Sequence, residues 1–110
     1  MAKIILYENM RAIPYVPFYL AHEHGFFSAE GIEVDLRLSP STTETPRAIL
    51  NGRADVAWGG PMRVMMHHDA DRACPLVCFC QVVARDPFLL IGRTPNQNFQ
   101  FSDLSELRIG

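Results

Sequence analysis

Apolar residues occur along this chain in short continuous runs and in one run of strict alternation with polar residues. Residues 3–8 form a short continuous apolar run with polar ends, which is typical of a strand covered on both faces of a parallel sheet. From residue 32 to residue 38 every second side chain is apolar, which predicts a strand with one wet face. Residues 54–58 are again mostly apolar and predict a third strand.

Three segments between and after these runs carry helix signals. Residues 14–24 begin with prolines and stop at Gly25, a residue that ends helices readily. In residues 41–51 we predict Thr43 as the N-cap, because that register places Pro46 in the first turn, where its missing N–H is harmless. Residues 61–69 start at Pro61, which suits the first helical turn.

The alternation of strand and helix predicts an α/β fold with a parallel sheet. A double-sided first strand and a one-sided second strand indicate the strand order 2-1-3. Ligands of such sheets bind at the carboxyl ends of the strands, where the strand order reverses. Two further extended runs, residues 75–84 and 88–93, and a final turn leading into a strand complete the prediction.

The loops expected at that edge supply the candidate binding residues. Asn9 can donate and accept hydrogen bonds, and Arg11 can bind a carboxylate, sulfonate or phosphate through two parallel bonds. The turn before the third helix can present backbone N–H groups to an anion. Each residue also has a purely structural alternative, such as helix capping, a solvated loop or core filling. The candidates are Asn9, Met10, Arg11, Tyr15, Thr42, Thr43, Trp58, Gly59, Gly60, Pro61 and Met62.

Composition narrows the possible function classes. The formal net charge is −2 and the basic residues are scattered, so no stripe for nucleic acid is present and no such partner is expected. No apolar run approaches the roughly 20 residues that span a bilayer. The first residues do not follow a signal-peptide pattern, so a cytosolic protein and a processed exported one both remain open.

Residues that could carry chemistry are few. Cys74, Cys78 and Cys80 lack a standard zinc spacing, so we expect buried structural thiols, with a metal or redox role as the alternative. No nucleophile with a base partner is apparent, so neither a catalytic set, a metal site nor a cofactor is predicted. Neither histidine pair shares a helical face, and the methionines at helical spacing are expected in the core. Those residues are His22, His24, His67, His68, Met62, Met65 and Met66.

Three stretches resemble a known family. They are "VPFYLAHEHGFFSAEGIEVDLRL", "AILNGRADVAWGGP" and "FSDLSELRIG". They resemble the solute-binding proteins of ABC importers for nitrate, sulfonates and taurine, a group that includes the NMT1/THI5-like proteins linked to thiamin-pyrimidine metabolism. The matching positions are Ala21, Gly25, Phe26, Phe27, Gly31, Ile32, Val34, Ala48, Ile49, Leu50, Gly52, Ala54, Asp55, Val56 and Ala57.

The resemblance implies a periplasmic-binding-protein fold of type II, in which hinge strands join two lobes around the solute. Residues 1–93 then resemble the first α/β lobe, and residues 94–110 the hinge and the start of a second lobe. Such a protein binds a small polar or anionic organic molecule without altering it. Its partner is an ABC permease, its only link to a membrane, and its location is periplasmic or at the cell surface, with the cytoplasm still open.

Two alternatives to a binding protein follow from the same likeness. One is a THI5-like synthase of a thiamin-pyrimidine precursor, since that branch has a cysteine-rich motif and this chain contains "CPLVCFC". The other is the effector lobe of a transcription regulator, which ranks last because no helix-turn-helix precedes the lobe. The identity of the solute does not follow from the resemblance.

Overall fold

The computed structural model describes residues 1–85 and 87–109. Asp86, between the two predicted extended runs, and Gly110, the last predicted hinge residue, lie outside the described residues. The strands are β1 (Ala2–Glu8), β2 (Ile32–Leu38) and β3 (Val56–Trp58). The α-helices are α1 (Val16–Glu23), α2 (Phe26–Ala29), α3 (Glu44–Leu50) and α4 (Pro61–Ala70), and Ile13–Tyr15 and Phe101–Glu106 are 3₁₀ turns.

The three strands form one parallel sheet in the order β2-β1-β3, which confirms the predicted fold class. β1 pairs with β2 along its whole length and with β3 only over its last three residues. Glu8 is paired with both Leu38 and Trp58, so the carboxyl ends of all three strands meet at one edge. The predicted switch point between β1 and β3 therefore exists.

The central strand is covered on both faces, as its continuous apolar run predicts. On one face Tyr7 packs with Ala48 and Ala54 in the core beside α3. On the other face the buried Leu6 and Glu8 lie on the side of α1. β2 is less buried than β1, because it lies at the edge of the sheet and pairs only with β1.

Two glycines end helices at the predicted positions. Gly25 has φ 70° and donates its N–H to the carbonyl of His22, which closes α1. Gly52 has φ 68° and donates to the carbonyl of Ile49 just beyond α3. Other residues are strained in this left-handed backbone, so the two stops are local properties of the sequence.

The start of α3 differs from the prediction. Thr43 already has helical backbone angles, φ −77° and ψ −33°, and its side chain makes no capping bond. Instead Ser41 Oγ accepts a hydrogen bond of 3.2 Å from the N–H of Glu44. Thr43 does occupy the predicted N-cap position, but the side chain that accepts a hydrogen bond from the first turn is that of Ser41. Pro46 does lie in the first turn of the helix.

The second half of the described chain carries less regular structure than predicted. Residues 75–84 and 88–93 form no strand, and the 3₁₀ turn Phe101–Glu106 is followed by no strand within the described residues. A strand needs a neighbour to bond its backbone groups, and a cavity separates residues 76–82 from β3. Among residues 1–85 and 87–109 the predicted hinge strands are therefore not formed. No helix of the described part is long and apolar enough to span a bilayer.

Candidate functional site

The carboxyl edge of the sheet carries a cavity of about 150 Å³. Its walls are mostly apolar and come from β3, α3, the start of α4 and the extended residues 76–82. The polar groups that reach it are Asn9, Thr45 and Arg63, together with the thiols of Cys78 and Cys80. An apolar hollow with a few polar groups at one rim is typical of small-molecule sites.

Asn9 is held in one orientation at the end of β1. Thr45 is buried in the first turn of α3, and its hydroxyl donates a hydrogen bond of 2.7 Å to Asn9 Oδ1. The amide nitrogen of Asn9 therefore keeps both its hydrogens for another acceptor. The side chain lies beside Gly59, where an added methyl group would meet Asn9 Cγ at 3.6 Å.

Arg63 brings a positive charge to the same cavity. It lies in the first turn of α4, and its Nη2 donates a hydrogen bond of 3.4 Å to Thr42 Oγ1. Within residues 1–85 and 87–109 the Arg63 guanidinium forms no ion pair, so its charge is not neutralised by a carboxylate. The Arg63 N–H is engaged by the carbonyl of Gly60, whereas the position of Met62 leaves its N–H without an intrahelical partner.

A buried carboxylate ends β1 next to these donors. Glu8 is 1% exposed, and its Oε1 accepts hydrogen bonds of 3.2 Å and 2.9 Å from Nε and Nη2 of Arg11. Burial alone would raise the pKa of Glu8, but contacts with the Tyr19 hydroxyl and with Arg11 outweigh it and lower that pKa below its usual value. In the part of the chain that the structure describes, neither Glu8 Oε2 nor Tyr19 Oη completes a well-formed hydrogen bond. Glu8 is thus a buried carboxyl group whose pKa is lowered by its neighbours.

Trp58 is the centre of an aromatic cluster. It is 3% exposed, stacks on Phe18 with ring centroids 4.4 Å apart, and lies 5.4 Å from Tyr15 and 6.0 Å from Tyr19. Its Nε1 is buried and has no hydrogen-bond partner among the described residues. The indole packs between α1 and the end of β3, so Trp58 has the structural role that was its alternative. Trp58 also borders the cavity.

The structure brings together some predicted site residues and leaves others apart. Asn9, Trp58, Gly59 and Gly60 line the cavity. Thr42 reaches it only through Arg63. Arg11 is 74% exposed and turned onto Glu8. The remaining candidates, which do not line the cavity, are Met10, Tyr15, Thr43, Pro61 and Met62.

Sequence reasoning missed the side chains of four residues of this edge. Glu8 ends a predicted strand, so its position at the carboxyl edge was a usable signal. The side chains of Phe18, Thr45 and Arg63 join the site through contacts with residues far along the chain. No local pattern marks such contacts.

The thiols also differ from expectation. Cys74 is buried as predicted, but Cys78 and Cys80 are exposed on the cavity wall because residues 76–82 lack a paired neighbour. All three are free thiols. Within the described residues no three side chains of His, Cys, Asp or Glu come together as a metal site.

Comparison with known proteins gives the family. The NMT1/THI5-like description matches residues 13–110. YtlA of Bacillus subtilis (strain 168), named as a candidate binding protein, is 26% identical over 94% of this chain and 31% of its own length. The 4-amino-5-hydroxymethyl-2-methylpyrimidine phosphate synthase of Schizosaccharomyces pombe (strain 972) is 30% identical over 98% of this chain and 31% of its own length.

The chain thus spans about a third of the length of these curated relatives. No solved structure matches it. The family match covers most of the chain, including α1, the Gly25 stop, β2, α3 and β3. The chain belongs to the NMT1/THI5-like family.

Proposed function

We propose that this chain contributes the first lobe of a solute-binding protein of an ABC-type importer. Residues 1–93 act as the lobe, and residues 94–110 as the hinge and the start of a second lobe. The solute is a small polar or anionic organic molecule of the nitrate, sulfonate, taurine or pyrimidine class. The protein works outside the cytoplasm and hands the solute to a permease. The likeness to YtlA supports this choice.

One observation carries the proposal. The free amide hydrogens of Asn9 and the unpaired guanidinium of Arg63 reach the same cavity rim, beside Gly59 and Gly60. Both groups donate hydrogen bonds, and the α4 dipole adds positive potential at the same place. An oxyanion such as a sulfonate or carboxylate matches this set of donors. Closure of a second lobe over the rim supplies the remaining contacts.

A thermal-shift screen of the full protein tests the proposal. The panel contains nitrate, taurine, alkanesulfonates, thiamin pyrimidines and aromatic carboxylates. A ligand at one hundred times its dissociation constant stabilises the folded state by about 2.7 kcal/mol, which is readily measured. A stabilising solute is then titrated calorimetrically into the Arg63→Gln variant.

The variant has a matched control. Arg47→Gln removes an equal charge from α3, where Arg47 pairs with the neighbouring Glu44 and does not line the cavity. Loss of a charge-assisted hydrogen bond of about 1.5–3 kcal/mol corresponds to an affinity roughly 10- to 150-fold weaker for Arg63→Gln. Arg47→Gln should bind like the parent. Equal affinity in both variants would place the solute elsewhere.

The second candidate is a pyrimidine-precursor synthase, which the likeness to the yeast enzyme supports. The exposed Cys78 and Cys80 on the cavity wall favour it, although the described residues assemble no complete metal site. Iron analysis of anaerobically purified protein separates the two functions. A binding protein retains its solute affinity in Cys78→Ser and Cys80→Ser, whereas a synthase that depends on these thiols loses activity.

A further inference from the structure

The solvent side of α4 carries three methionines. Met62, Met65 and Met66 are 64%, 61% and 56% exposed. Their helical spacing led us to expect them in the core, and that expectation is wrong, because α4 turns Val64 and Arg63 toward the cavity instead. Exposed methionine side chains are costly to hydrate, and their thioether sulfurs are polarizable donors. Within the described residues, no other element covers these three side chains.

The three methionines share one shallow concave surface with side chains of the last turn of α4 and with Arg72 just beyond the helix. Residues three and four apart on a helix are neighbours, which relates Met62 to Met65 and Met66, and Met65 to His68. The surface also includes one carboxylate and one guanidinium, which carry opposite charges. Its members are Met62, Met65, Met66, His68, Asp69 and Arg72.

His68 is held in the form that a metal ligand needs. Its Nε2 lies 2.8 Å from the carbonyl oxygen of Leu76. A carbonyl only accepts, so Nε2 carries the hydrogen, and in the neutral ring the lone pair resides on Nδ1. Histidine ligands of metals characteristically donate their other N–H to a backbone carbonyl, which fixes ring and tautomer. The bond to Leu76 does this for His68 before any ion arrives.

We propose that this surface binds a soft monovalent metal ion, Cu(I) or Ag(I), through the thioethers of Met62 and Met65 and Nδ1 of His68, which follow one another at spacings of three residues along α4. Thioether sulfur selects Cu(I), whereas Mg²⁺ and Ca²⁺ prefer oxygen ligands. Asp69 on the rim offsets part of the ion's charge. The site lies outside the solute cavity and stands independently of the proposed transport function.

The test is a titration of Cu(I) into the full chain in anaerobic buffer, in competition with the chromophoric chelator bicinchoninate. Cys78→Ser/Cys80→Ser is the parent for all variants, because exposed thiols bind Cu(I) themselves. We expect one equivalent to be withdrawn from the chelator. Met62→Leu/Met65→Leu keeps the side-chain volume and should weaken binding at least tenfold. Ag(I) should compete with Cu(I), and Zn²⁺ should not.

His67→Gln is the matched control for His68→Gln. His67 is adjacent but does not line the concave surface, so its replacement should leave the affinity within twofold of the parent. Far-UV circular dichroism confirms that each variant is folded. The proposal is overturned if the chelator retains all the Cu(I), or if the folded double leucine variant binds as tightly as its parent. Equal losses for His67→Gln and His68→Gln would also overturn it.

Discussion

Replacing Trp58 tests whether its indole holds the lobe together. The side chain is 3% exposed and touches three aromatic rings from the segment around α1. Trp58→Ala removes those contacts and leaves a cavity, at a cost of about 3–5 kcal/mol for a buried large side chain. Small domains are stable by only about 5–15 kcal/mol, so this single change should remove a large part of the total.

Trp58→Phe is the informative companion. It keeps an aromatic ring against Phe18 and removes Nε1, which is buried and has no hydrogen-bond partner within residues 1–85 and 87–109. Burying such a group costs about 1–3 kcal/mol, so its loss offsets part of the lost volume. We therefore expect Trp58→Phe to be destabilised by about 1 kcal/mol, far less than Trp58→Ala.

Urea unfolding followed by far-UV circular dichroism measures both variants. Fluorescence is unsuitable for the comparison, because Trp58 is the only tryptophan in the chain. The midpoint and slope of each transition give the free energy of unfolding. The reasoning is refuted if Trp58→Ala costs less than about 1 kcal/mol, or if the alanine and phenylalanine variants are equally destabilised.

Two further predictions concern single carboxylates. Asp55 Oδ2 accepts a 2.8 Å hydrogen bond from the N–H of Ile5, and Asp55 N–H donates to the Ile5 carbonyl at 2.9 Å. Asp55→Ala should therefore lower the free energy of unfolding, measured in urea, by about 1.5 kcal/mol. Asp55→Asn keeps an acceptor oxygen and should lose less stability. Equal losses for the two variants would contradict the role of Asp55 Oδ2. The folded-state pKa of Glu8 is lowered, because Tyr19 and Arg11 together outweigh burial. The ionised Glu8 side chain therefore stabilises the fold above the unfolded pKa of about 4.3. This contribution is lost as the pH falls through the lower folded-state pKa. Urea midpoints measured from about pH 2 to about pH 7 cover this window. The midpoint should fall less steeply towards low pH for Glu8→Gln than for the parent, and superimposable curves would refute the role of Glu8.

The sequence by itself determined the scaffold of the lobe. Period-two and continuous apolar runs predicted β1, β2 and β3 in the right order, because strand side chains alternate and a doubly covered strand must be apolar throughout. Gly25 and Gly52 marked two helix ends, since left-handed backbone is a property of the residue itself. The edge that carries the candidate site followed from this topology alone.

The membership of the site was decided by contacts between distant residues. Thr45 reaches Asn9 across 36 positions, and Arg63 reaches Thr42 across 21. Local pattern carries no information about which side chains meet after the chain turns back on itself.

Burial was likewise decided only by tertiary packing. Glu8 lies inside the lobe because α1 covers the end of β1 and supplies Tyr19, although a glutamate is ordinarily exposed. Met65 and Cys78 are apolar or weakly polar and were expected inside, yet both are exposed. Periodicity tells which residues share a face, but whether another element covers that face depends on the whole fold.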